Sequence, residues 1–226
     1  MRFRNVNQVK ILHTFTPVQF FNCRQMIPVD TCEPFFEYMR KSVELDSGTM
    51  ELIAAHIKEI TFPPKHIILA QGGLCNKVFF VVSGTARSYY IDVSGMTVTW
   101  SFYFNNNKSI VRNLFAFDGR AYLRNEQSSV AIEVLTELSA LVFTREALNY
   151  LMEKSLKYEI WMRKLTENAY VSIYDRAFTI LTMSATERYH KLLNEEPHLM
   201  QMFSNHYIAS YLGIAPQSLS RIRSQH

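Results

Sequence analysis

The chain has 226 residues, 48% of them hydrophobic, enough for two small packed domains and too apolar for global disorder. Only 19% of residues are charged and the net charge is +4, which is compatible with nucleic acid but excludes a binder driven by bulk charge. Cys23, Cys32 and Cys75 form no CxxC pair, which argues against a structural zinc site or an iron–sulfur cluster, and no apolar run approaches the roughly 18 residues that span a bilayer. Free thiols in a reducing cytoplasm, with no metal and no membrane partner, are the expectation.

Residues 1–31 mix aromatics, Asn and Gln without a clean period, and read as a loosely attached extension with Met26 as an alternative start. From Pro34 to Ile60 the spacing turns helical: Phe35, Phe36, Met39 and Val43, then Leu52, Ile53, His56, Ile57 and Ile60, with a turn and helix start at Asp46–Thr49. Pro63-Pro64 ends that pattern. Short β-branched and aromatic runs follow at Ile67–Leu69, Val78–Val82, Ala86–Ile91, Thr97–Phe104, Val130–Leu135 and Ala140–Phe143. Asp92-Val93-Ser94-Gly95 reads as a hairpin turn, and residues 113–125 as briefly helical. Many short strands with regular turns predict a β-barrel or jelly-roll over residues 32–153.

Residues 145–183 hold no Pro or Gly, and the stretch from Ser155 is unusually long for one globular helix. Met162, Leu165, Ala169 and Ile173 step by three or four, the spacing of a helix-pairing seam, while Trp161, Tyr170, Tyr174, Phe178, Ile180 and Leu181 lie off that stripe. Periodicity leaves two readings open over 154–183: a dimerisation helix, or a single buried core helix. Ser184 and Glu187 have capping-box spacing, so a new helix starts near Ala185 and a last unit occupies 184–226.

Asn205 to Arg223 is the most informative stretch. Ile208, Ala209 and Leu212 line the inner face of one short helix, and Gly213 supplies a turn where φ is often positive. Ile214 follows, Pro216 fits the first turn of a second helix, and Leu219 and Ile222 face inward from it. Gln217, Ser218, Ser220, Arg221 and Arg223 remain on the outside. Gln217 and Arg221 are four apart and share a face; Gln can bridge adenine, and Arg can bridge guanine O6 and N7. Ser204 can cap the first helix and point donors at a phosphate. From Gln201 onward there are arginines and no acidic residue.

With "FFVVSG" (Phe79–Gly84), the long helix and "YIASYLGIAPQSLSRIR" (Tyr207–Arg223), the chain from about Phe35 onward resembles the Crp/Fnr family of transcription regulators. The resemblance implies an α+β protein: a cyclic-nucleotide-binding-like β-roll, a long dimerisation helix and a C-terminal winged helix-turn-helix, although few residues follow Arg223 to form a wing. It implies double-stranded DNA and a second copy of the chain as partners, a palindromic operator, RNA polymerase as a candidate contact, and no catalytic residue. Under it Gln217, Ser218 and Arg221 read bases, Ser204 touches phosphate, and Arg223 adds a cation.

Cyclic-nucleotide binders of that family carry Gly-Glu and then Arg-Ser/Thr-Ala in a phosphate cassette. Here Phe117-Asp118 and Ser128-Ser129-Val130 stand near those places, so the phosphate lacks its arginine and cyclic AMP is not expected. An effector site built from Asp118, Arg120, Ser128 and Ser129 would take another small molecule. Arg112, Arg120 and Arg124 could meet an anion or be surface charges. Cys23 and Cys32 are too few for the oxygen-sensing branch. His66 is alone in the roll, which also excludes a cupin-type metal enzyme. The competing reading is a metabolite- or nucleotide-binding signalling module that acts through protein contacts without DNA.

Overall fold

A computed structural model describes residues 27–224, so most of the expected extension lies outside the described residues. Ile27 and Val29 already pack on the core, ahead of the boundary expected at 31. A 3-10 turn (Val29–Cys32) leads into α1 (Glu33–Arg40), whose Phe35, Phe36 and Met39 are fully buried. α2 (Ser47–Ala54) starts on Asp46, whose carboxylate accepts from the Thr49 N–H at 2.8 Å. The helix expected to reach Ile60 stops short. Lys58–Phe62 forms strand β1 and pairs with β8 (Leu138–Thr144) from Lys58–Val142 to Phe62–Leu138. The helical spacing of Ile57 and Ile60 is overridden because β8 offers these residues a full ladder, and Ile60 and Thr61 are β-branched.

The strands form two antiparallel four-stranded sheets, ordered β1-β8-β3-β6 and β2-β7-β4-β5. They are β2 (Ile67–Leu69), β3 (Lys77–Ser83), β4 (Thr85–Ile91), β5 (Thr97–Phe104), β6 (Phe115–Ala116), β7 (Ala131–Val134) and β8 (Leu138–Thr144). Each expected run is a strand, with bounds shifted by a few residues. The briefly helical segment resolves into α3 (Val111–Leu114), β6 and α4 (Gly119–Arg124). Gly84 joins β3 to β4 at φ +84°, and a Cβ there would lie 2.0 Å from the Glu137 carbonyl oxygen, so the corner accepts only glycine. Side chains fill the roll: Phe79, Val81, Ile132, Leu138 and Ala140 pack together, and the buried Tyr103 hydroxyl donates to Ser88 Oγ at 3.2 Å. Burial, with Glu59 nearby, pushes the Cys32 thiol up to about 12, as an inert core thiol requires. Cys23 lies outside the described residues.

Thr144 caps α5 (Arg145–Lys154), and Ser155 breaks the helical run and caps α6 (Leu156–Thr182), accepting from the Tyr158 N–H at 3.2 Å. The first turns of α6 bury Tyr158 and Trp161 against α1; the Phe35 and Trp161 rings meet edge-on at 5.1 Å. The seam expected along Met162, Leu165, Ala169 and Ile173 is therefore divided. Met162, Leu165 and Ala169 lean on the chain's own core, because the roll occupies that side of the helix. Ile173 is exposed, beside Tyr170, Tyr174, Phe178 and Leu181. The Tyr170, Tyr174 and Phe178 rings follow one another at 6.5 and 6.2 Å, an apolar stripe at i, i+4, i+8.

The last 41 described residues, 184–224, are helical: α7 (Ala185–Glu195), α8 (Leu199–Met202), α9 (Asn205–Tyr211) and α10 (Pro216–Ser224). The Ser184–Glu187 capping box forms as the spacing predicts. The expected wing is absent among the described residues: no strand lies in 184–224, and the link from α7 to α9 is the single turn α8, started after Pro197 and anchored by buried Leu199.

Candidate nucleic-acid interface

α9 and α10 meet at a four-residue turn, Leu212–Ala215, in which Gly213 takes φ +68°. Ile208, Ala209, Leu212, Leu219 and Ile222 are all buried in one cluster with Tyr189, Leu192 and Phe203, and Ile214 packs at its edge. The stretch is thus neither an unbroken rod nor a loose hairpin. Arg188 of α7 fixes its rear, donating to the Leu212 carbonyl at 2.9 Å and the Met183 carbonyl at 2.6 Å. These bonds satisfy carbonyls that the ends of α9 and α6 leave open.

With Leu219 and Ile222 turned inward, α10 shows the solvent Gln217, Ser220 and Arg221, and Ser218 in part. Among the described residues neither the Gln217 amide nor the Arg221 guanidinium has a hydrogen-bond partner, and neither is packed inside. Ser204 caps α9, accepting from the Tyr207 N–H at 3.3 Å, which leaves its hydroxyl proton free to donate. Arg223 reaches across to α9 and donates to Asn205 Oδ1 at 2.9 Å, so its cation is held beside Ser204 at the exposed corner of the motif.

The opposite side of α9 is docked on the roll. β5 is the outer strand of its sheet, and Phe102 and Phe104 point outward from it into the helical cluster. Phe102 stacks on Phe203 with centroids 4.0 Å apart. Arg87 is buried beneath α9: it pairs with Glu133 at 3.2 Å, donates to Thr99 Oγ1 at 3.1 Å and lies 3.9 Å from the Tyr207 ring centre. Arg112, weighed above as an anion contact or a surface charge, instead pairs with Glu196 at the end of α7. None of these docking residues stood out from spacing. The available signal was the run Phe102-Tyr103-Phe104, apolar on both faces, which marks a strand covered on both sides.

The expected effector residues do not converge on a cavity. The buried Asp118 carboxylate accepts from the Ala121 N–H at 3.1 Å, from the Ser128 hydroxyl at 2.8 Å and from the Ser129 N–H at 3.2 Å. It caps α4 and ties the loop to itself. Arg120 lies outside, paired with Glu126 at 2.9 Å on the surface, and Arg124 stands 3.9 Å from the same carboxylate. The neighbouring cleft, lined by Leu69, Leu74, Cys75, Lys77, Phe79 and Phe117, holds about 100 Å³. Pockets that enclose small ligands run to roughly 300–1,000 Å³. His66 stacks on Phe62 at 5.3 Å. Among the described residues no group of His, Cys, Asp and Glu could hold a metal, and no helix is long and apolar enough to cross a membrane.

Residues 59–155 match the cyclic nucleotide-binding domain family. Solved structures share the fold over most of the chain. FixK2 from Bradyrhizobium japonicum is 18% identical, with a TM-score of 0.62 over 75% of this chain and 83% of that one. A protein from Eubacterium rectale, described as a transcriptional regulator of the Crp/Fnr family, is 18% identical, with a TM-score of 0.60 over 80% and 83%. The c-di-GMP responsive global regulator CLP of Xanthomonas campestris is 16% identical, with a TM-score of 0.58 over 80% and 91%. No curated protein matches the sequence. The cyclic nucleotide that gives the domain its name does not fit the residues present: the anion would meet Ser128 and Ser129 in place of a guanidinium, and the one buried carboxylate of the loop is already fully engaged.

Proposed function

We propose that this chain is a DNA-binding transcription regulator of the Crp/Fnr type, a cytoplasmic homodimer that reads a palindromic operator through α10. One observation carries the reading. Leu219 and Ile222 anchor α10 while Gln217 and Arg221, four residues apart, stay exposed with their hydrogen-bonding groups unspent among the described residues. Such a face offers bidentate partners for adenine and guanine edges in a major groove. Ser204, Ser218 and Arg223 surround it with donors for phosphate and base edges. The regulator descriptions borne by proteins of the same fold support it, with RNA polymerase as the candidate contact on DNA.

The exposed stripe from Tyr170 to Leu181 is the pairing surface for the second copy, with Ile173 at its edge and Met162, Leu165 and Ala169 supporting it from the roll side. Apolar side chains of this size at helical spacing are costly to leave in water, and a twin helix covers them. The roll acts as a regulatory domain whose effector is not cyclic AMP and which performs no catalysis. Retardation of duplexes selected from a random-sequence pool tests the reading. The protein should retain palindromic duplexes, with affinity falling steeply as salt rises, and sediment as a dimer. Failure to retain any duplex would instead favour a signalling module working through protein contacts.

A further inference from the structure

β5 is an edge strand, and edge strands leave N–H and C=O groups open unless something covers them. Here side chains from three elements close that edge. Asn113 of α3 donates to the Phe102 carbonyl at 3.0 Å. Ser210, on the back of α9, accepts from the Thr99 N–H at 2.8 Å and donates to the Thr97 carbonyl at 3.1 Å, standing in for the next strand of the sheet. Trp100 is the extra residue of a bulge, since Ser101 pairs with Ser88 and Thr99 with Tyr89. A bulge leaves its extra residue out of the ladder. Arg176 of α6 donates to the Trp100 carbonyl through Nε at 3.1 Å and, through a terminal nitrogen, to the Tyr211 carbonyl at the end of α9 at 2.8 Å. Its guanidinium also lies 3.6 Å from the Tyr211 ring centre. One side chain thus joins the long helix, the sheet edge and the first helix of the reading head.

We infer that Arg176 and Ser210 are positioning residues for operator reading: they seat the back of α9 on the edge of β5 and so fix the direction in which α10 faces. The inference rests on the DNA reading proposed above. Neither residue lies on the reading face; Ser210 and Tyr211 are on the opposite side of α9 from the solvent. A head that swung freely about Met183–Ser184 would still read one half-site. It would lose the gain that comes from presenting two heads at a fixed spacing, because the second contact is made at an effective concentration set by geometry. A dimer with seated heads meets a palindrome without first ordering them.

The experiment compares Ser210→Ala, Ser210→Thr, Arg176→Ala and Arg176→Lys in the full chain. The probes are a palindromic duplex selected by the wild-type protein and a duplex carrying one half of it. Loss of seating should weaken binding to the palindrome by about tenfold or more for Ser210→Ala and Arg176→Ala, with the half-site changed by less than about twofold. Ser210→Thr keeps the hydroxyl and should restore palindrome affinity. Arg176→Lys replaces a rigid fork, which uses two separate nitrogens, with a single flexible ammonium, and should not. Hydrogen exchange at the Thr99 amide reports the seam without DNA, and should accelerate in both alanine variants while the amides of α10 keep their protection. Equal loss on both probes, unchanged palindrome affinity or tighter binding in the alanine variants would each overturn the positioning role. Retention of no duplex by the wild-type protein would overturn the DNA reading itself, and the positioning role with it.

Discussion

The loop around Asp118 and the outer face of α10 both gather short polar side chains beside a helix, and they use them in opposite ways. Asp118 is buried, and its two oxygens accept from two backbone amides and a hydroxyl within a dozen residues, so nothing remains for a ligand. Gln217 and Arg221 stand exposed on a longer helix, with no partner for either side chain among the described residues. The difference lies in what each helix has beneath it. α4 is short and sits against Phe117 and the roll interior, where an unpaired carboxylate would be costly, so the polar groups satisfy one another. α10 rests on Leu219 and Ile222 and turns its polar side to water, where unpaired groups cost little until a partner displaces the solvent.

The sharpest break of that comparison is Asp118→Ala. Removing the carboxylate orphans the Ala121 and Ser129 amides, while the Ser128 hydroxyl keeps the Val130 carbonyl at 2.8 Å, and should lower unfolding stability by about 3 kcal/mol in urea. The sequence preference of the DNA complex should stay as it was. A loss below about 1 kcal/mol would mean that the loop is open enough to receive a ligand after all. Arg221→Ala should do the reverse. Unfolding is unchanged, while discrimination at one base pair of each half-site falls by about 1–3 kcal/mol, read by competition between single-substitution duplexes. If preference survives, α10 is not the reading helix.

The smallest effect concerns the docking seam. His198 meets the Phe104 ring at 5.5 Å, and burial, with Lys108 and Arg112 nearby and only partly offset by Glu196, holds its pKa below the usual histidine value. The folded chain therefore resists a proton that the unfolded chain accepts. Stability from this site is complete above the ordinary histidine pKa and declines as pH falls through the depressed one. Thermal melts between pH 7.5 and 5 should show a modest decline that His198→Phe removes. An unchanged decline in that variant would place the titration elsewhere.

Much of the molecule follows from local pattern. The strand runs of the roll, the Ser184–Glu187 box and the α9–α10 turn were legible because each depends on residues a few positions apart: alternation, reciprocal capping, or a glycine where φ must be positive. Lys58–Phe62 was not, since its strand exists only through β8, some eighty residues later in the chain. At Asp118, spacing shows that a carboxylate stands near Ser128 and not that the two are already bonded. Helical spacing fixes an apolar side of α6 without saying which part of it the roll will take, and the roll takes Met162, Leu165 and Ala169 and leaves Ile173 exposed.

The amino-acid order alone determined where most of the helices, turns and strands begin, and which side chains of the last two helices are left facing out, because those are short-range consequences of period, capping and φ. Only the folded molecule decided that Arg176, Ser210 and Phe102 bind the head to the sheet and that Asp118 closes its own loop. Those outcomes depend on which distant groups compete for the same hydrogen bonds and the same apolar surface, and no local spacing encodes that competition.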